Sequence, residues 1–128
     1  MRALRGLLMQ LEQLKDLVIE VLDDMKARDV SVIDVRGKTA VTDFMIVASG
    51  TSDRHVKAIA ETVAYRAKEA GEPPLGTEGV QEGEWALVDL NGVVVHLMLP
   101  KVRDFYSLER LWSAPALVPP RQPAAASA

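Results

Sequence analysis

The feature that most constrains the fold is an Asn-Gly pair between two strand-like runs. Residues 85–90 (WALVDL) and 93–99 (VVVHLML) are rich in apolar and β-branched residues, and only Asn91 and Gly92 separate them. Such a pair is typical of a two-residue type I′ hairpin turn, because both turn positions need positive φ. The turn then sets one register for the strands, which pairs Leu90 with Val93, Val88 with Val95, Leu87 with His96 and Trp85 with Met98.

Alternation along these strands divides their side chains between two faces. The first face is wholly apolar, and we expect it to pack against helices; it contains Ala86, Val88, Leu90, Val93, Val95 and Leu97. The second face mixes large apolar groups with an acid and an imidazole; it contains Trp85, Leu87, Asp89, Val94, His96 and Met98. A covered acid and imidazole would need internal partners. We therefore predict that the second face is an open contact surface, with a second core beneath a helix as the alternative.

A buried strand that leads into a helix is the other strong pattern. Residues 42–48 are nearly all apolar, which is typical of a strand covered on both faces. The strand stops before Gly50, and residues 51–53 can cap a helix that ends at Gly71. A glycine turn at a helix N-terminus sometimes binds phosphate, so this junction is a candidate nucleotide site.

The rest of the chain completes an α/β domain. We predict a first helix over residues 8–28, a strand over 30–36, a short edge strand over 75–78 and a short helix over 104–112. The expected fold is a mixed sheet of about five strands with helices mainly on one face. A right-handed crossover is expected to pair strand 75–78 in parallel with strand 42–48. We predict one domain over 1–114 and a disordered tail over 115–128, where proline, alanine and serine replace the periodic pattern.

Composition excludes several classes of function. The chain of 128 residues has no cysteine, which removes disulfides, thiolate metal sites and thiol catalysis. Its net charge is −3 without a lysine or arginine cluster, so direct binding of nucleic acid is disfavoured and a basic protein partner is favoured. No run approaches the roughly 20 apolar residues of a membrane span, and we expect a cytoplasmic protein.

Catalytic patterns are weak. Nucleotidyl transfer at Gly50-Thr51-Ser52 would need clustered carboxylates for magnesium, but neither candidate strand has an Asp-x-Asp pair. His55 and His96 lack metal-ligand spacing, and neither has a serine in a nucleophile elbow. We expect helix capping, with no catalytic residue, metal or cofactor. A nucleotide-binding enzyme or sensor at this turn is the alternative function.

The runs DFMIVASGTSDRHVKAIAETV and EGEWALVDLNGVVVHLMLPKVRDFYSLERLW resemble the ribosomal silencing factor family, also called Iojap-like proteins. The resemblance spans roughly Leu11 to Trp112. It implies a nucleotidyltransferase-like topology without the catalytic carboxylates. It also implies a non-enzymatic translational repressor that binds a basic protein of the large ribosomal subunit and sterically blocks joining of the small subunit, chiefly under nutrient limitation. The free protein is expected to be a homodimer.

The resemblance also implies site residues. Three residues match family motif positions and lie on the second face of the hairpin: Trp85, Asp89 and His96. Four further matches are expected to extend this partner-binding surface: Glu78, Arg103, Tyr106 and Glu109. Three matches at the strand–helix junction are expected to have a contact or a structural role: Asp43, Arg54 and His55.

Overall fold

The computed structural model describes residues 2–37 and 42–106, with side chains over 11–37 and 42–104. Its elements in chain order are α1 (Arg2–Asp24), β1 (Arg28–Asp34), β2 (Phe44–Ser49), α2 (Asp53–Glu69), β3 (Gly76–Glu78), β4 (Trp85–Asp89), β5 (Val93–Met98) and α3 (Pro100–Tyr106). No helix among these is long and apolar enough to cross a membrane. The predicted domain end at residue 114 and the tail lie outside the described residues.

The sheet has five strands in the order β1-β2-β5-β4-β3. β2 and β5 are parallel, and the other neighbours are antiparallel, which confirms the predicted mixed sheet. The predicted parallel pairing of the 75–78 strand with the central strand is wrong, because β3 pairs with β4 in antiparallel fashion. β2 and β5 are buried along their whole length and take the centre, whereas the short, mostly exposed β3 suits an edge.

The hairpin register is confirmed, with Trp85 opposite Met98 and Leu87 opposite His96. The turn is not of type I′, because Asn91 has a positive φ of 74° and Gly92 does not. A Cβ at Gly92 would meet the end of the Leu11 side chain of α1, which would have to move to make room for it.

Both ends of α2 are closed as the sequence predicts. The Ser52 hydroxyl accepts the backbone N–H of His55 at the N-terminus. At the C-terminus Gly71 has a φ of +91°, and the Glu72 N–H donates to the Ala67 carbonyl at 2.9 Å. This is the Schellman arrangement, in which glycine supplies the left-handed residue.

The sheet separates two apolar cores. The larger lies under α1 and α2, where their apolar stripes pack on the first face of the hairpin and on β2; it includes Leu14, Val18, Leu22, Ile59, Val63, Ile46, Val88 and Val95. The smaller lies on the second face and contains Val35, Met45, Val47, Trp85 and Met98, with Ile33 and Val102 packed against it. Val102 comes from α3, which begins at Pro100 rather than at 104 because proline suits the first turn of a helix.

Candidate functional site

The centre of the second face is not open. Trp85 is 4% exposed and His96 is fully buried. Val35 and Val102 are among the residues that pack in the core beside Trp85. The prediction of an open surface is wrong for Trp85 and His96, and the alternative of a second core is correct there. Alternation shows which side chains share a face, but it does not show what lies over that face.

Trp85 and His96 satisfy each other's main polar need. The indole Nε1–H of Trp85 donates to Nδ1 of His96 at 2.8 Å, with the ring centroids 5.9 Å apart. Because indole can only donate, Nδ1 is the acceptor and the proton of the neutral imidazole lies on Nε2. Nε2 is buried without a hydrogen-bond partner among the described residues. Burial lowers the pKa of His96 to about 3, so the imidazole is neutral.

The second face is accessible at its β4–β3 edge. Leu87 lies between His96 on β5 and Glu78 on β3, and these three residues share the face. Glu78, Leu87 and Asp89 are each partly exposed. The Asp89 carboxylate accepts the Asn91 N–H at 2.9 Å, which fixes it beside the turn. We call the surface formed by Glu78, Leu87 and Asp89, with the exposed Glu82 and Glu84 of the adjoining loop, the acidic margin.

The segment of sequence that supplies the acidic margin carries charges of one sign. Residues 69–100 contain no lysine or arginine, and their carboxylates are Glu69, Glu72, Glu78, Glu82, Glu84 and Asp89. Glu82 and Glu84 were not among the site residues expected from the sequence. The long interval without a basic residue is the signal that could have identified them.

Arg103 lies on the opposite side of the second face from Glu78. Its Nη1 donates to the Ser49 hydroxyl and its Nη2 to the Ser31 hydroxyl, each at 3.1 Å, and Nη1 also donates to the Asp29 carbonyl. These bonds attach α3 to β1 and β2, whereas Glu78 lies on the far edge strand. The structure therefore does not bring Arg103 to the acidic margin.

Two other expected contact residues cannot be placed in full. Tyr106 is the last residue of α3, and its side chain is outside the described part of the chain. Glu109 also lies outside the described residues. Their partner-binding roles stay predictions.

His55 joins three segments at the strand–helix junction. Its Nδ1 accepts the Thr51 N–H at 2.9 Å, and its Nε2–H donates to the Met25 carbonyl, just after α1, at 2.7 Å. Asp43 uses its backbone to bond β1 and β5, through Val35 and Gly92. His55 and Asp43 thus have structural contacts, while Arg54 is exposed.

The glycine turn has little capacity left for a phosphate. The backbone N–H groups of Gly50, Thr51, Arg54 and His55 donate to protein acceptors. The adjoining groove, of about 400 Å³, is lined by Asp53, Arg54, Lys57, Ala58, Glu61 and Gln81. Its two carboxylates balance its two cations, so the groove has no net positive charge to attract a phosphate. No group of three or more potential metal ligands occurs among the described residues. This geometry favours helix capping over nucleotide binding.

Gly50 is required for packing, and this can be tested. A Cβ on Gly50 would lie 2.7 Å from Cγ2 and 3.0 Å from the backbone nitrogen of Val56. We expect Gly50→Ala to lower the free energy of unfolding by about 1–3 kcal/mol, as overpacking does, measured by urea denaturation. Gly76→Ala is the matched control, because a Cβ there meets no atom within 4 Å. Equal stability of the two variants would contradict the packing role.

Comparison with known proteins gives a consistent result. Residues 9–127 match the family model described as "Ribosomal silencing factor during starvation". The chain is 47% identical over 104 residues to a protein from Chromobacterium violaceum named ribosomal silencing factor, which covers 81% of this chain and 85% of that protein. A crystal structure of a Chromobacterium violaceum protein has a TM-score of 0.79 and 44% identity, covering 84% of this chain and 90% of that one.

A more distant relative comes from mouse and is named mitochondrial assembly of ribosomal large subunit protein 1. It is 36% identical over 101 residues, which is 77% of this chain and 44% of the mouse protein.

Proposed function

We propose that this chain, which belongs to the ribosomal silencing factor family, binds the large ribosomal subunit. Bound there, it would sterically block joining of the small subunit. The partner on the large subunit is proposed to be a basic ribosomal protein at the subunit interface, and the repression is proposed to act chiefly under nutrient limitation, in the cytoplasm. The name of the mouse relative, which refers to the large subunit, supports that choice of subunit. Steric exclusion requires only an occupied surface, so no reacting group is needed.

The acidic margin is the observation that carries the proposal. Glu78 ends the edge strand β3, and Glu82 and Glu84 are exposed in the loop that joins β3 to β4; this interval of sequence contains no lysine or arginine. A surface of one charge sign attracts a partner of the opposite sign and speeds the encounter. Leu87 provides an apolar group beside these carboxylates, and apolar centres with polar rims are typical of protein interfaces.

The buried core beneath the margin supports it mechanically. Leu87 and Asp89 belong to the same strand as Trp85, which is fixed in the second core by packing and by its bond to His96. Side chains on a fixed strand lose less entropy when they bind than side chains on a mobile loop. Trp85 and His96 are thus proposed to position the contact surface rather than to touch the partner.

Charge reversal of the margin tests the proposed function. The triple variant Glu78→Lys, Glu82→Lys and Glu84→Lys is expected to reduce co-sedimentation with isolated large subunits by about tenfold or more, because like charges would then face each other. The control reverses three exposed acids elsewhere on the helices and changes the net charge equally; it is Asp16→Lys, Asp23→Lys and Glu61→Lys. Binding of the unmodified protein should also weaken as salt rises.

Two results would count against the proposal in different ways. If the unmodified protein fails to pellet with large subunits, binding to this subunit is wrong. If the folded margin variant pellets as well as the control variant, the acidic margin is misassigned although the function stands. A ribosome profile, in which added protein shifts particles from joined to separate subunits, would test the blocking step itself.

The free protein is further proposed to be a homodimer, as the family resemblance implies. Dimerisation is separable from ribosome binding, since it can be measured without ribosomes.

A further inference from the structure

The outer edge of β1 carries exposed apolar side chains. β1 is the end strand of the described sheet, and Val30 and Val32 are 39% and 41% exposed. Val32 lies opposite Ile46, which belongs to the core under α1 and α2. Val32 therefore faces the helix side of the sheet, yet it remains substantially exposed there.

Backbone groups of this edge also point outward. The Val35 N–H donates to the Asp43 carbonyl, so the odd-numbered residues of this part of β1 face β2. Hydrogen bonding in an antiparallel pair alternates along each strand, which directs the N–H and C=O groups of Val32 away from β2. Such an edge is a template for another strand.

We infer that β1 pairs in antiparallel fashion with β1 of a second copy of this chain, about a two-fold axis at Ser31. The inference rests on the proposed homodimer and assigns its surface. In the sequence of β1, RDVSVID, two of the three pairs of positions about Ser31 are complementary; the third, Asp29 opposite Ile33, falls at a bulge in the strand. In this register Val30 faces Val32 of the other copy, Arg28 faces Asp34, and Ser31 faces Ser31.

This register is chemically better than its neighbours. The outward backbone groups of two copies can bond only in this register or in registers shifted from it by two residues. One such shift would place Val30 of one copy opposite Asp34 of the other. The inferred register instead covers four exposed valines and brings opposite charges together at both ends. Asp34 already accepts three hydrogen bonds from Arg36, two of them from the guanidinium, and Arg28 of the other copy would add a further cation.

A bulge limits the length of the pairing, and the two-fold symmetry of the contact limits the assembly to two copies. The β1–β2 register shifts between Arg28 and Ser31, and Asp29 has a φ of +52°. A bulge bends and twists a strand, so Arg28 contributes charge rather than ladder hydrogen bonds. Because a two-fold contact uses the same patch on both copies, the result is a closed dimer with one continuous sheet rather than a filament.

Cysteine cross-linking tests the axis directly, because the chain contains no cysteine of its own. Residues opposite each other at a non-hydrogen-bonded site have Cα atoms about 4.5 Å apart, within the range for a disulfide. We expect Ser31→Cys to form a disulfide-linked dimer under mild oxidation. Thr77→Cys, on the exposed edge strand at the other side of the sheet, is the control and should stay mostly monomeric on a non-reducing gel.

A second variant is needed because Ser31→Cys also removes the hydrogen bond from Arg103 to the Ser31 hydroxyl. Val32→Lys places a charge at the inferred interface on an already exposed site, and it should weaken the dimer by about tenfold or more in analytical ultracentrifugation. Thr77→Lys is the control and should remain dimeric. The far-ultraviolet circular dichroism spectra of the two variants should match, which shows that Val32→Lys dissociates the dimer without unfolding the chain; their urea curves are not compared, because dimerisation itself adds stability.

The outcomes separate this inference from the proposed function. A protein that is monomeric at micromolar concentration overturns both the dimer and its edge, whatever it does with ribosomes. A dimer that survives Val32→Lys and gives no Ser31→Cys cross-link overturns the assignment of the edge alone. Co-sedimentation of the unmodified protein with large subunits is read independently of either result.

Discussion

Trp85→Ala is expected to lower the free energy of unfolding by about 3–5 kcal/mol, the range for truncating a large aromatic side chain in a core. Trp85 is 4% exposed, packs in the second core and donates to the buried His96. Truncation would leave a cavity on the second face and remove the one donor that satisfies Nδ1 of the imidazole. Urea denaturation at neutral pH measures the change.

One variant separates packing from hydrogen bonding, and a second is a control for position on the strand. Trp85→Phe keeps much of the apolar volume but removes Nε1–H, and an unsatisfied buried acceptor costs about 1–3 kcal/mol. Leu87→Ala lies on the same strand and face but is only partly buried, so it should cost less than Trp85→Ala. If the free energy of unfolding of Trp85→Ala lies within about 1 kcal/mol of that of the unmodified protein, the indole does not form part of a core.

The burial of Trp85 changes how binding data should be interpreted. Because Trp85→Ala is expected to lower the stability of the whole domain, loss of co-sedimentation by this variant would not identify Trp85 as a contact. The acidic margin can be altered on the surface, and it is the place where binding and stability can be separated. Trp85 and Asp89 are four residues apart on β4, yet one belongs to the core and the other reaches the margin.

Local signals in the sequence were sufficient for the local structure. The Asn91-Gly92 pair predicted the register of the hairpin, because a two-residue connection leaves the strands no freedom to slide. Ser52 and Gly71 predicted the ends of α2, since each acts on backbone groups within one turn of itself. Positive φ was expected at both turn positions and occurs only at Asn91, while Gly92 leaves room for the Leu11 side chain of α1.

Features that depend on distant segments were not predictable from pattern. The partner of β2 in the parallel pair is β5, about 50 residues along the chain, and a crossover to β3 fitted the pattern equally well. The second face looked open because its acid and imidazole seemed to lack partners. In fact the imidazole pairs with Trp85 from the neighbouring strand, while the acid is partly exposed to water at the margin.

Acid should destabilise this protein through His96. The imidazole of an unfolded chain has an ordinary pKa near 6.5, whereas burial lowers the pKa of His96 to about 3 in the folded chain. Between these values only the unfolded chain binds a proton, so acidification favours unfolding. The penalty begins as the pH falls through about 6.5 and increases until about pH 3. From pH 7 to pH 5 it amounts to about 2 kcal/mol.

Comparison with His96→Gln isolates this contribution. A glutamine side chain carries an amide oxygen that can accept the Trp85 Nε1–H, but it does not titrate. Both proteins have the same carboxylates, so the difference between their unfolding free energies at pH 7 and pH 5 reports His96. We expect the unmodified protein to lose about 2 kcal/mol more than the variant over this interval. Parallel pH dependences would mean that His96 is not held neutral in the folded protein, and the second face would then be more open to water than its packing indicates.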